Sequence, residues 1–236
     1  MNDPLPLVIA NLKANFTWEQ MAWWLDEVGP KCTDFEGTIV VCPSFAFLAA
    51  ASQKINSALW DMKLGSQDAS KYEQGAYTGE TAASQIVGLC QYAIVGHSER
   101  RRYFGETDED VIRKVKLLID CQITPVLCIS DFRQLDSYVE KEKMLVKNAS
   151  QIVFVYEPPG AISGGGAFKP DSLENANEQA LRIKEKVGQK VVTIYGGSIS
   201  PDNAQSFFQQ ANIAGGLIGQ ASLDPQKFTQ ILMAAS

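Results

Sequence analysis

Short apolar runs alternate along this chain with amphipathic stretches. The first run is Leu7-Val8-Ile9-Ala10; after a polar turn, Trp18, Met21, Ala22, Leu25 and Val28 recur at three- and four-residue intervals and fall on one helical face. Further strand-like runs follow at Thr38 to Val41, Leu59 to Leu64, Tyr92 to Val95, Pro125 to Ile129, Ile152 to Tyr156, Val191 to Tyr195 and Gly216 to Ile218. Each is trailed by a helical pattern or a loop leading into one. The fourth intervening helix is the clearest, with Val111, Ile112, Val115, Leu118 and Ile119 on one face, Asp108 as its expected cap and acidic residues in its first turn. Other helices are expected to begin at Asp171, at Pro201 after Ser200, and at Pro225 after Asp224, because proline suits a first helical turn.

Eight strand-helix units in 236 residues average about thirty residues each, the length of one parallel crossover unit. The runs are apolar throughout rather than alternating, which indicates a parallel sheet buried on both faces. A closed eight-stranded barrel and an open doubly wound sheet both satisfy this. No Gly-x-Gly-x-x-Gly follows the first run, and eight regular units favour closure. The expectation is α/β, a closed (β/α)8 barrel in one domain spanning residues 1–236, with function gathered at the carboxyl ends of its strands.

Composition narrows the function classes. Hydrophobic residues at 45% and charged residues at 20% exclude disordered and fibrous chains. A net charge of -6 argues against nucleic acid or an anionic membrane as partner, yet permits a small anionic substrate held by a few local donors. Five cysteines form no CxxC pair and one histidine leaves no second imidazole, so neither a zinc site of the usual spacing nor a disulfide framework is expected. No basic-then-apolar leader opens the chain, and no run approaches the roughly 18 apolar residues of a membrane span. A cytoplasmic protein is the expectation.

The strand-end rule selects a short set of residues. Glu157 follows the run Ile152 to Tyr156 and opens the segment Pro158-Pro159-Gly160-Ala161-Ile162-Ser163-Gly164-Gly165-Gly166. The prolines cannot continue a ladder, and a stiff start with a glycine-rich far side suits a lid over the carboxylate. Asn11 and Lys13 follow the first run, His97 and Glu99 the fourth, Ser198 the seventh, and Gly219 and Gln220 the eighth. Singly, each has a plain structural reading: a surface glutamate before a turn, a satisfied histidine, a solvated lysine. Together on one rim, a carboxylate, an imidazole, an ammonium and glycine-bearing turns make a proton-transfer site beside an anion cradle.

At these residues the sequence resembles the triosephosphate isomerase family, from about Val8 to about Leu232. The resemblance is carried in order by Asn11-Leu12-Lys13, Gly75-Ala76-Tyr77-Thr78-Gly79-Glu80, Val95-Gly96-His97-Ser98-Glu99-Arg100-Arg101, Tyr156-Glu157-Pro158, Tyr195-Gly196-Gly197-Ser198 and Gly219-Gln220-Ala221-Ser222-Leu223. It implies a TIM barrel that interconverts dihydroxyacetone phosphate and D-glyceraldehyde 3-phosphate through an enediolate, a step of glycolysis and gluconeogenesis. The roles of base for Glu157 and neutral electrophile for His97 come from the family, itself the standard example of such tuning, and not from the spacing. His97 precedes Ser98-Glu99-Arg100-Arg101, a helix start whose dipole disfavours an imidazolium. The resemblance further implies Lys13 as the enediolate-stabilising cation, Asn11 as its support and Glu99 as its anchor. Backbone N–H groups near Ser163, Ser198, Gly219 and Gln220 would hold the phosphate. The loop Gln67 to Glu80, with Thr78, resembles the one by which family members reach into a partner subunit, so a homodimer is implied. No metal and no organic cofactor is implied.

The chain also departs from the family pattern. The lid carries Pro159-Gly160 where an apolar residue and tryptophan are usual, Ser163 where glycine is usual, and Gly166-Ala167-Phe168 where Lys-Thr-Ala is usual. The expectation is a lid more mobile when open and a weaker hold on phosphate. Gln220 replaces the second glycine of a usual pair, leaving a backbone N–H in place, and Ser130-Asp131 replaces a usual Gly-Glu. Two alternatives stay open: a catalytically weakened phosphate-binding barrel, and another sugar-phosphate isomerase or lyase barrel, which would lack the joint His97, Glu157 and Lys13 pattern.

Overall fold

A computed structural model describes residues 3–141, 143–158 and 169–235. Among them, eight parallel strands close into a barrel in sequence order: β1 (Leu7–Asn11), β2 (Thr38–Cys42), β3 (Lys63–Ser66), β4 (Tyr92–Val95), β5 (Thr124–Ile129), β6 (Val153–Tyr156), β7 (Val192–Tyr195) and β8 (Gly215–Ile218). β1 closes the ring, with Leu7 opposite Thr38 of β2 on one side and Gly215 of β8 on the other. The strands are wrapped by α1 (Trp18–Val28), α2 (Leu48–Ala58), α3 (Ser98–Phe104), α4 (Asp108–Asp120), α5 (Phe132–Lys141), α6 (Lys143–Lys147), α7 (Leu173–Val187), α8 (Ala204–Phe208) and α9 (Pro225–Ala235).

The continuous apolar runs divide by the two-residue period of a strand. Leu7, Ile9, Val40, Ile94, Val126 and Val153 fill the barrel interior. Their chain neighbours Val8, Ala10, Ile39, Val41, Val95 and Leu127 face the helices in a second, larger layer. Both layers exclude water, so the strands show no polar face. The helices supply the matching stripes. Met21, Leu25 and Val28 of α1 are buried as their spacing predicts, and Trp24 joins them by donating its indole N–H to the Ser222 carbonyl at 2.8 Å.

Several expected boundaries are corrected. The third strand is Lys63–Ser66 and not Leu59 to Leu64: α2 runs to Ala58, and Leu59 ends it in the left-handed region (φ 57°) with 87% of its surface exposed. α4 is capped by Thr107 rather than Asp108, because Thr107 and Asp110 exchange backbone and side-chain hydrogen bonds in a capping box. α7 starts at Leu173 behind Ser172, while Asp171 instead accepts the Tyr156 hydroxyl at 3.0 Å. α8 starts at Ala204, since Pro201 and its neighbours form a turn in which Asn203 accepts the Ser200 N–H. α9 does begin at Pro225.

Candidate active site

Asn11 ends β1, and two residues later the backbone of Lys13 takes a left-handed conformation (φ 52°), uncommon for a residue with a Cβ. Two side chains brace it. Asn11 Oδ1 accepts the Lys13 N–H at 3.2 Å, and Gln67 Nε2 donates at 2.8 Å to both the Lys13 and the Cys42 carbonyls. The Lys13 ammonium then lies 2.5 Å from Glu99 Oε1. A flexible side chain is thereby fixed at both its root and its tip.

His97 follows β4 and caps α3, its Nδ1 accepting the Glu99 N–H at 3.2 Å. An accepting Nδ1 carries no proton, so this contact assigns the neutral-imidazole proton to Nε2. Nε2 stands 3.1 Å from Glu157 Oε1. Glu157 follows β6 and is fully buried; its other oxygen accepts the Ser98 N–H at 3.0 Å. Among the described residues Oε1 has no well-angled hydrogen bond. Burial raises the Glu157 carboxyl above the ordinary range, against the opposing influence of His97, the Ser98 N–H and Lys13.

The glycines after β7 answer to crowding. A Cβ on Gly196 would come within 2.5 Å of a Val155 methyl carbon and 3.2 Å of Glu157 Cγ, and one on Gly197 within 2.1 Å of the Tyr195 hydroxyl oxygen. A cleft of about 530 Å³ opens above them, lined by Asn11, Lys13, His97, Gly197, Ser198, Gly219 and Gln220. Gly219 abuts the cation, since a Cβ there would meet Lys13 Cε at 3.5 Å. A short 3-10 helix, Gln220–Leu223, starts at the cleft wall, and the first N–H groups of such a turn have no partner within it. Six of the expected site residues thus share one cleft. Glu99 reaches it through Lys13, and Glu157 stands behind His97.

A family model for triosephosphate isomerase matches residues 6–235. The chain belongs to the triosephosphate isomerase family. It is 33% identical to "Triosephosphate isomerase" of Alkalilimnicola ehrlichii over 98% of each chain. Against the protein of that name from Thermus thermophilus it is 36% identical, over 97% of this chain and 98% of the relative. Against that of Endomicrobium trichonymphae it is 33% identical, over 96% and 97% respectively.

Within this triosephosphate isomerase scaffold, Ser163 and the rest of the expected lid, 159–168, lie outside the described residues. Gln67 and the Ser98 N–H are site elements that the sequence reading missed. The strand-end rule would have selected Gln67 had β3 been bounded at Ser66. Asp131, which with Ser130 replaces a usual Gly-Glu, accepts the N–H and guanidinium of Arg133 at the start of α5.

Proposed function

We propose that this chain interconverts dihydroxyacetone phosphate and D-glyceraldehyde 3-phosphate, with Glu157 as the base, His97 as the electrophile and Lys13 as the fixed cation. The contact of Glu157 Oε1 with His97 Nε2 at 3.1 Å, beside the Lys13 ammonium, is the observation that carries the reading. In the proposed cycle Glu157 turns from the Ser98 N–H toward the substrate and takes a proton from the hydroxyl-bearing carbon. His97 gives its Nε2 proton to the carbonyl oxygen and regains one from the neighbouring oxygen. Glu157 then returns its proton to the adjacent carbon, so nothing is gained or lost overall. Negative charge that develops on the enediolate oxygens meets an ammonium already in position, which requires no reorganisation at the moment of transfer. Asn11 and Glu99 act by holding Lys13. The phosphate is assigned to N–H groups at Ser198, Gly219 and Gln220, with Ser163 of the lid completing the cradle. That cradle relies on backbone dipoles and is compatible with an acidic protein.

The assembly proposed is a homodimer of one-domain chains (residues 1–236) through the loop Gln67 to Glu80. Tyr72 and Tyr77 stack there with ring centroids 4.1 Å apart, and Tyr77 remains 44% exposed. Arg100 ties Asp68 at the base of this loop to the ring of Phe104, itself 71% exposed. Exposed Tyr77 on this loop and exposed Phe104 on α3 are aromatic surface that a second copy would cover. A cytoplasmic location fits a glycolytic reaction, and no described helix is long and apolar enough to cross a membrane.

A coupled assay with D-glyceraldehyde 3-phosphate tests the reading. Turnover that disappears in Glu157→Ala supports it. Tight binding of 2-phosphoglycolate without turnover would instead mark a weakened phosphate-binding barrel, and turnover of a different sugar phosphate alone would mark another isomerase or lyase.

A further inference from the structure

A second cleft, of about 500 Å³, opens at the other end of the barrel from Lys13 and His97. It lies where the chain enters β1, β7 and β8, and is nearly as large as the catalytic cleft. Among the described residues its wall contains Lys184 of α7 and Lys190 but no aspartate or glutamate, in a chain whose acidic residues outnumber its basic ones 27 to 21. Lys184 is half-buried, and its ammonium donates to Asn212 Oδ1 at 3.4 Å. Burial moves its ammonium below the ordinary lysine range, and no carboxylate among the described residues acts in the other direction. A partly desolvated cation that meets no carboxylate among the described residues is a cost that a bound anion would reduce.

The remaining wall mixes the amides of Gln189, Gln205 and Gln209 with apolar residues. Leu5, Phe208 and Ile213 supply hydrocarbon and aromatic surface. The loop that carries Asn212 is pinned by hydrogen bonds from the Asn212 N–H to Asn177 Oδ1 at 3.0 Å and from the Ala214 N–H to the Thr193 carbonyl at 2.8 Å. With Oδ1 taken by Lys184, the Asn212 carboxamide still has its NH2 to donate. Apolar lining with a few fixed polar groups is the usual character of a small-molecule site.

We propose that this cleft is a second ligand site, for a small organic monoanion with an apolar body, its charge on Lys184 and Asn212 and its body against Phe208 and Ile213. Occupancy there leaves the catalytic cleft free. The probe is 2-naphthoate, followed by amide chemical shifts and calorimetry on the full chain, with and without saturating 2-phosphoglycolate. Expected are shifts centred on Lys184, Lys190 and Asn212 that 2-phosphoglycolate does not reverse. A loss of about ten-fold in affinity is expected in Lys184→Gln, the equivalent of one charge-assisted hydrogen bond. Lys190→Gln is expected to give a smaller loss, and neutral 2-naphthalenemethanol to bind about ten-fold more weakly than 2-naphthoate. Displacement by 2-phosphoglycolate, equal affinity in Lys184→Gln, equal binding of the neutral analogue, or no shifts at these residues at millimolar probe would each overturn the proposal.

Discussion

Glu157 and His97 meet across the rim of the barrel with Oε1 3.1 Å from Nε2, while the second carboxylate oxygen accepts the Ser98 N–H at 3.0 Å. Both contacts originate at the amino end of α3, whose first N–H groups hold the carboxylate on one side and the imidazole Nδ1 on the other. One helix start therefore positions the proposed base and fixes the tautomer of its partner. The carboxylate is also fully buried, so its charge is supported by few donors and its proton affinity is high, as a carbon base requires.

That burial gives opposite expectations for stability and activity in Glu157→Gln. A carboxyl raised by burial is disfavoured as the anion in the fold, so stability is lost as pH rises from the ordinary glutamate value of 4.5 through the higher folded value. Removing the charge removes the loss. The variant should be more stable than the parent at pH 7, with the gain shrinking as pH falls towards 4.5. The melting temperature should rise by roughly 2–4 °C per kcal/mol, while turnover falls by about 10²–10⁴-fold. Calorimetry at two pH values and the coupled assay check both; a variant destabilised at pH 7 would show that the contacts to Ser98 and His97 outweigh desolvation.

Gln67 carries a second expectation. Its amide joins the Lys13 and Cys42 carbonyls at 2.8 Å each, behind a lysine held at φ 52°. Gln67→Leu leaves both carbonyls without that donor and the left-handed turn without its brace. The cost should be about 1–3 kcal/mol in urea unfolding, with kcat reduced more than KM is raised, because the displaced ammonium matters most when the enediolate forms. Unchanged kcat in a destabilised variant would reduce Gln67 to scaffolding.

The barrel was readable from the sequence because its strands are buried on both faces and so appear as unbroken apolar runs such as Val8 to Ala10 and Ile152 to Tyr156. The third strand was the exception. Lys63-Leu64-Gly65-Ser66 has one large apolar residue, whereas Leu59 and Trp60 just upstream form the cap and exit of α2. Placing the run too early also hid Gln67. The rim residues stood out by chemistry and position, but the distances that make them a unit depend on non-local geometry. Glu99 meets Lys13 across 86 positions and Glu157 meets the Ser98 N–H across 59, and no local pattern encodes such pairs.

Beneath the rim, Lys114 is buried with Asp68 at 2.7 Å and with Glu106 on its other side, and Arg100 reaches the same two carboxylates. Burial raises Asp68 although both cations oppose it. Lys114→Met would leave buried Glu106 and half-buried Asp68 sharing one partly exposed arginine, at a cost of about 3–5 kcal/mol near neutral pH. Protonation relieves repulsion between the carboxylates, so the gap to the parent should narrow as pH falls. Urea unfolding at pH 7 and pH 5 measures it, and an equal gap at both would mean that packing of the lysine stem, not charge, sets the cost.

Gln220 separates the two ways in which the cleft could hold a phosphate. It occupies the first position of the 3-10 helix Gln220–Leu223, its backbone φ is not in the left-handed region, and the family resemblance implies glycine there. If the backbone N–H is the donor, Gln220→Gly should leave the KM for D-glyceraldehyde 3-phosphate within about two-fold, since the donor survives the change. Gln220→Pro should remove it. Proline fits a first helical position, where the N–H has no intrahelical acceptor, and Gly219 before it lacks the Cβ that crowds a pre-proline residue. One lost hydrogen bond to a charged oxygen is worth about 1.5–3 kcal/mol, so 2-phosphoglycolate should bind about 10- to 150-fold more weakly. Unphosphorylated D-glyceraldehyde should be turned over equally by both variants. Should Gln220→Gly instead weaken the phosphorylated ligand as much as Gln220→Pro does, the side-chain amide would be the donor, and the glycine usual in the family would have been replaced here by a residue that grips the phosphate itself.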